Sequence, residues 1–259
     1  VKPARLPLLV TIGPSHYCEK ARWALERAGI VYEEEPHAPL LHWAYTLPRA
    51  KTRTVPLLLI EGEAPITDST DILRYADRAC RPDERLFPDD PALLPDVERL
   101  ESRFDEELGP AARRLAYCYV TLDAKLFVGL FARSLPPGER RVFEHGERVF
   151  RALLRKAFKV SDGAAARTRA KLEALFDDVS TLVKDGRRYL VGGRLTAADV
   201  AFVSLAGPAL LLERTDDELG RLPREFASTV RALRATPAGR FALELHARER
   251  RGARAGVEA

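Results

Sequence analysis

The sequence predicts an α/β domain over residues 1–82 followed by an all-helical domain over residues 91–259. Three observations carry this reading. Leu8, Leu9, Val10 and Ile12 form an apolar run that is stopped by Gly13-Pro14 and followed at once by helical periodicity, a strand–turn–helix opening. The stretch from Arg81-Pro82-Asp83 to Pro88-Asp89-Asp90-Pro91 has the proline- and aspartate-rich composition of a linker. Beyond it, apolar residues recur at helical spacing.

Taken in order, Ser15 is a good N-cap for the first helix, whose apolar face holds Tyr17, Ala21, Ala24, Leu25 and Ala28, with Gly29 as the stop. Residues 30–33 read as a second strand that closes a βαβ opening. Residues 37–50 show no clear period and read as an irregular helix or loop. Residues 55–60 form a strand led by Pro56, which lacks the amide a central strand needs and belongs at a strand end, where a cis bond is one option. A turn at 61–63 and an antiparallel return at 65–67 follow. Asp68-Ser69-Thr70-Asp71 then caps a helix with Ile72, Leu73, Tyr75 and Ala76 on its apolar face.

In the second half, Leu93, Val97, Leu100, Phe104 and Leu108 share one face of a long helix that Gly109-Pro110 should end. Residues 111–132 read as another helix, in which Tyr117, Tyr119, Phe127 and Phe131 could line something apolar. Pro136-Pro137-Gly138 breaks the chain before a charged helix over 139–160. Thr196 and Asp199 form a capping box, with Leu195 and Val200 as its staple. The helix that starts at Ala197 is apolar nearly all round and should cross the core. The tail from Arg248, with Arg250, Arg251 and Arg254, reads as a frayed end.

Composition narrows the function classes. In 259 residues, 42 basic side chains face 38 acidic ones for a net charge of +4, a mixed surface that argues against a nucleic-acid partner. Three widely spaced cysteines and five histidines give neither zinc spacing nor a disulfide framework, so no metal is expected and the compartment reads as reducing and cytoplasmic. No signal-peptide pattern is seen, and the apolar stretch 200–212 is too short to span a bilayer, so no membrane role is expected.

The chemistry lies at the first turn. Ser15-x-x-Cys18 is a Cys-x-x-Cys redox motif with oxygen in place of its first sulfur, set at the positive end of a helix dipole that favours a thiolate. Serine cannot form the disulfide but can donate a hydrogen bond to another molecule's sulfur. A plain N-cap serine with a buried cysteine behind it would read the same way.

Ser15-x-x-Cys18, Thr54-Val55-Pro56 and Asp68-Ser69 together resemble the thioredoxin-like domain of cytosolic glutathione transferases, in the family's order and at about its separations. The serine-type, bacterial-like members with an extended helical domain are the nearest in pattern. The capping element that ends in Asp199 extends the resemblance as a folding device.

The resemblance implies a conjugating, detoxifying enzyme with glutathione as co-substrate, a small hydrophobic electrophile as second substrate, and a homodimer. Ser15 is the implied catalytic residue, donating to the glutathione sulfur; Tyr17 is its competitor. Val55, ahead of Pro56, is implied to pair its backbone with the cysteinyl part, and Asp68 and Ser69 to grip the γ-glutamyl end. Arg53, with Lys51, is offered for the glycyl carboxylate, and Arg22 more weakly. Pro14, His16, Phe104, Tyr117 and Tyr119 are offered for the second-substrate pocket. A non-catalytic binding protein, or glutathione-dependent redox or dehalogenation chemistry at Cys18, are the rivals. Residues 124–160 depart from the family pattern as an extension, and residues 37–53 as an irregular stretch.

Overall fold

A computed structural model describes residues 5–161 and 163–251. In chain order the elements are β1 (Leu8–Thr11), α1 (His16–Arg27), β2 (Glu33–Pro36), α2 (Trp43–Ala50), β3 (Leu57–Leu59) and α3 (Ser69–Asp77). Then come α4 (Leu94–Arg103), α5 (Gly109–Val120), α6 (Ala124–Phe131), α7 (Pro137–His145), α8 (Glu147–Ala157) and α9 (Ala164–Leu182). The chain ends in α10 (Ala197–Leu210), α11 (Asp216–Leu219), α12 (Arg224–Ala235) and α13 (Pro237–Leu245). This is the expected thioredoxin-like α/β start followed by helices.

The chain divides into two compact units. One holds the described residues up to Arg85 together with Asp123–Leu153; the other holds Leu86–Leu122 together with those from Leu154 onward. The sequence placed everything from residue 91 in one helical domain, whereas α6, α7 and the first turns of α8 pack into the first unit. The cause is local. Phe127, Phe131, Phe143 and Phe150 form a continuous ring cluster with centroids 5.0 to 5.8 Å apart, so this stretch brings its own core.

The sheet of the first unit runs β2-β1-β3. Parallel β1 and β2 pair from Leu8↔Glu33 to Thr11↔Pro36, and antiparallel β1 and β3 pair from Leu8↔Leu59 to Val10↔Leu57. The predicted return is reduced to a single bridge, Leu58↔Ile66. The second strand lies three residues beyond its predicted start, on Glu33, Glu34 and Glu35. An edge strand tolerates such charge when the carboxylates find partners. Glu34 takes a bidentate bond from Arg22 and a 2.6 Å bond from Thr11 Oγ1, and Glu35 takes one from Arg49 at 2.6 Å. Residues 43–50, which lack an apolar period, nonetheless form the regular helix α2.

In the second unit Gly109-Pro110 does not end a helix. Residues Phe104–Leu108 form a π turn, in which the Gly109 N–H reaches the Phe104 carbonyl, and α5 continues from it with Pro110 in its first turn. There the missing proline N–H costs least. The break comes instead at Asp123, whose carboxylate caps α6 through the Leu126 N–H at 3.0 Å. Helix α10 is buried almost throughout, as its all-round apolarity requires, and Phe202 meets the rings of Phe104, Phe176 and Phe241. The tail is not frayed at Arg250: His246–Arg251 is a π turn, and Arg250 is fully buried. Arg254 lies outside the described residues. Among the described residues no helix is long and apolar enough to cross a membrane.

Asp199 carries the capping box. Its carboxylate accepts from the Leu190 N–H at 2.8 Å, the Thr196 N–H at 2.9 Å and the Thr196 hydroxyl at 2.8 Å, fully buried. Burial pushes its carboxyl up to about 6, against the opposing pull of those donors. A raised folded-state pKa means that the folded form holds the proton longer, so stability present below about pH 4 is lost as pH rises towards 6. That loss should be of the order of 3 kcal/mol and should vanish in Asp199→Ala. The same substitution leaves three buried donors unpaired and should cost about 3 kcal/mol at neutral pH. Denaturant midpoints of both proteins from pH 4 to 7 check the two expectations.

Candidate functional site

The turn between β1 and α1 is fixed from several sides. The Ser15 N–H donates to the Ile12 carbonyl at 2.9 Å, and Arg22 Nη2 donates to the Gly13 carbonyl at 3.1 Å. Ser15 is extended, with φ −71° and ψ 124°, and its hydroxyl oxygen accepts from the Cys18 N–H at 3.4 Å, the N-cap bond the sequence predicts. Gly13 is required by a close approach: a Cβ there would stand 2.2 Å from Ser134 Oγ and 2.7 Å from Ser134 Cβ.

The other two motifs come to the same end of the sheet. Because β3 runs antiparallel to β1 and begins at Leu57, opposite Val10, continuing the register brings Val55-Pro56 beside the turn that leads to Ser15. The Val55–Pro56 bond is cis. The Leu58↔Ile66 bridge, extended likewise, brings Asp68 level with Pro56. Asp68 Oδ1 accepts from the Thr70 N–H at 2.7 Å and the Asp71 N–H at 3.4 Å, which makes it the N-cap of α3; Ser69 behind it is buried. By register Ser15, Val55, Pro56, Asp68 and Ser69 therefore fall along the end edge of the sheet, where Lys20 of α1 bonds Thr70 of α3.

Several supporting residues escaped the sequence reading. Fully buried Lys20 on α1 donates from Nζ to Thr70 Oγ1 at 2.9 Å, tying the two helix N-termini together. Its signal was a lysine between Ala21 and Trp23 on one side and Cys18 on the other, on what proves the inward face. The approach to Val55 hangs from α2. Thr46 Oγ1 donates to the Thr52 carbonyl at 2.7 Å, and His42 Nε2 and Trp43 Nε1 both donate to the Arg53 carbonyl, at 3.0 and 3.1 Å. Burial lowers the pKa of His42, which keeps it the neutral donor. The Arg53 guanidinium stacks over the Trp43 ring at 5.2 Å, and Lys51 is exposed at the C-terminus of α2.

Of the residues offered for the second-substrate pocket, Pro14 and His16 belong to the first unit and Phe104, Tyr117 and Tyr119 to the second. Pro14 is exposed, and His16 is buried with its ring 4.5 Å from that of Tyr17, itself only half-buried. In the second unit Phe104, Tyr117 and Tyr119 pack on three different partners: Phe202 at 5.1 Å, Phe158 at 4.7 Å and Phe226 at 4.9 Å. Burial pushes the Tyr117 hydroxyl up to about 12.

Residues 9–83 match the family model described as glutathione S-transferase, N-terminal domain. Over these residues the chain matches a glutathione S-transferase N-terminal domain. No curated protein sequence matches it significantly. Among solved structures it is similar to a glutathione S-transferase of Methylobacterium radiotolerans in complex with glutathione sulfonate, at 24% identity and TM-score 0.52, over 92% of this chain and 94% of that one. It is also similar to the beta-etherase LigF of a Sphingobium strain, at 17% identity and TM-score 0.60, over 92% and 98% of the two chains. A poplar glutathione transferase carrying a serine-to-cysteine substitution aligns at 14% identity and TM-score 0.58, over 94% and 99%.

Within this glutathione transferase fold Cys18 is poorly set for chemistry of its own. It is fully buried, and burial pushes its thiol up more than Arg22 and the Ser15 bond bring it down. Cys80 and Cys118 are also buried, with raised pKa values from the same cause. Near neutral pH, a disulfide reagent should label none of the three in the folded protein and all three in denaturant. Rapid labelling of Cys18 in the folded protein would contradict this assignment.

Proposed function

We propose that the chain binds glutathione at the edge shared by the three motifs and conjugates its thiol to a small hydrophobic electrophile. The observation that carries this is Ser15, half-buried and extended at the start of α1, where its oxygen accepts from the Cys18 N–H and its hydroxyl keeps one proton to donate to a sulfur. A hydroxyl donor and a helix N-terminus both favour a thiolate. The deprotonated sulfur attacks the electrophilic carbon, the C–S bond forms, and the leaving group departs with its electron pair while the thiol proton goes to solvent.

The rest of the tripeptide fits the same edge. The Val55 backbone offers an N–H and a carbonyl to the cysteinyl unit, as an extended peptide adding to a strand end requires. Asp68 is exposed at the N-terminus of α3 and complementary to an ammonium, while the Ser69 hydroxyl and the positive end of the helix dipole suit the γ-glutamyl carboxylate. Exposed Arg53 and Lys51 stand before Val55 for the glycyl carboxylate. Pro14 and His16, at the turn around Ser15, are the surroundings proposed for the electrophile in the first unit. A homodimer in a reducing, cytoplasmic setting goes with this reading. The glutathione sulfonate of the Methylobacterium protein and the bound glutathione of a Methylobacillus flagellatus transferase support the choice of co-substrate.

Glutathione titration followed by thiolate absorbance across pH tests the proposal. Saturable binding should lower the thiol pKa by about 1–2 units, and Ser15→Ala should abolish most of that shift and reduce turnover of an aryl halide at least about tenfold. Cys18→Ala should leave both unchanged. Binding without a pKa shift would point instead to a protein that holds glutathione without activating it.

A further inference from the structure

Glu139 lies on α7, in a stretch that none of the site motifs includes, yet both of its carboxylate oxygens are spent on the loop after β2. Oε1 accepts from the Ala38 backbone N–H at 3.1 Å, and Oε2 accepts from His37 Nδ1 at 2.9 Å. The carboxylate side chain is only 8% exposed, so it is a desolvated charge that must be fully used. His37 is buried and stacks on Tyr45 of α2 with ring centroids 3.5 Å apart. Its Nε2 stands 3.2 Å from Glu35 Oε1 on β2, and Arg49 of α2 closes on the same Glu35 carboxylate. Helix α2 in turn holds the Thr52 and Arg53 carbonyls through Thr46, His42 and Trp43. A continuous run of polar contacts and one ring stack thus leads from α7 to the residues immediately before Val55.

We propose that Glu139 is a positioning residue for glutathione binding: by fixing residues 37 and 38 it sets α2, and through α2 the extended backbone at Val55 that receives the cysteinyl unit. This rests on the glutathione reading above. The role concerns affinity and not thiol activation, because Ser15 is placed separately by the Ile12 carbonyl and the Cys18 N–H. Residues 123–153 thereby become part of the binding machinery of the first unit.

The test is calorimetric titration of the full chain with glutathione, beside its thiol pKa at saturation and steady-state kinetics with an aryl halide. Glu139→Ala should raise Kd and KM about tenfold while leaving kcat and the bound thiol's pKa as in the parent. Glu139→Gln keeps an acceptor for Ala38 but opposes an N–H to His37, and should raise Kd about threefold. That variant decides the matter if Glu139→Ala does not fold. An unchanged Kd in the folded variants overturns the proposal, and so does a loss of affinity in which the bound thiol's pKa rises and kcat falls with it. A parent protein that fails to bind glutathione overturns the glutathione reading itself, whereas a binding parent with indifferent variants overturns only the role of Glu139.

Discussion

The first unit depends on one partly buried ion pair. Arg22 projects from the middle of α1, only 11% exposed, and grips Glu34 of β2 while donating to the Gly13 carbonyl in the turn before Ser15. Thr11 of β1 completes the grip on the same carboxylate. One guanidinium thus joins the first helix, the edge strand and the turn. Burial alone would lower its pKa, but the carboxylates beside it hold it higher than usual, so it stays charged. Removing either partner would strand a desolvated charge, which costs several times what the pair contributes on balance. Without that grip a strand of three glutamates would have no reason to join the sheet.

The second unit answers a different constraint. It has no sheet to organise it, and its core is built around α10, whose N-terminus must be closed inside the protein where water cannot supply the missing acceptors. Asp199 closes it with three bonds from one side chain, and the aromatic contacts of Phe202 extend from there along the helix. The two units thus use carboxylates oppositely. Glu34 is balanced by a cation, while Asp199 is balanced only by dipoles and is therefore the one pushed towards protonation.

Much of this was legible because it is local. The Ser15 and Asp68 caps, the capping box at Thr196 and Asp199 and the proline-led strand are encoded within a few residues each, and short-range rules read them correctly. What failed was long-range or depended on partners. The second strand slid onto Glu33–Pro36 because Arg22 and Arg49, remote in sequence, neutralise it. Gly109-Pro110 reads as a helix stop, but a π turn absorbs it. Arg250, charged and near the end, reads as solvated and is buried. The motifs of the site were visible, but not the residues that hold them: Lys20, His42, Thr46 and Glu139 act through contacts that no local pattern announces.

The choice of serine at the first turn follows from the number of bonds one group can make. A hydroxyl has lone pairs to accept with and one proton to donate. At Ser15 a lone pair is taken up, at the long distance of 3.4 Å, by the Cys18 N–H, so capping of α1 does not consume the proton. An aspartate would cap as well but would repel an incoming thiolate, and an alanine would neither cap nor donate. A cysteine at residue 15 would lie beside Cys18 and open a disulfide route. Serine alone of these both closes the helix and keeps a proton to donate, so the fold's need for a cap and the proposed chemistry's need for a proton are met by one hydroxyl.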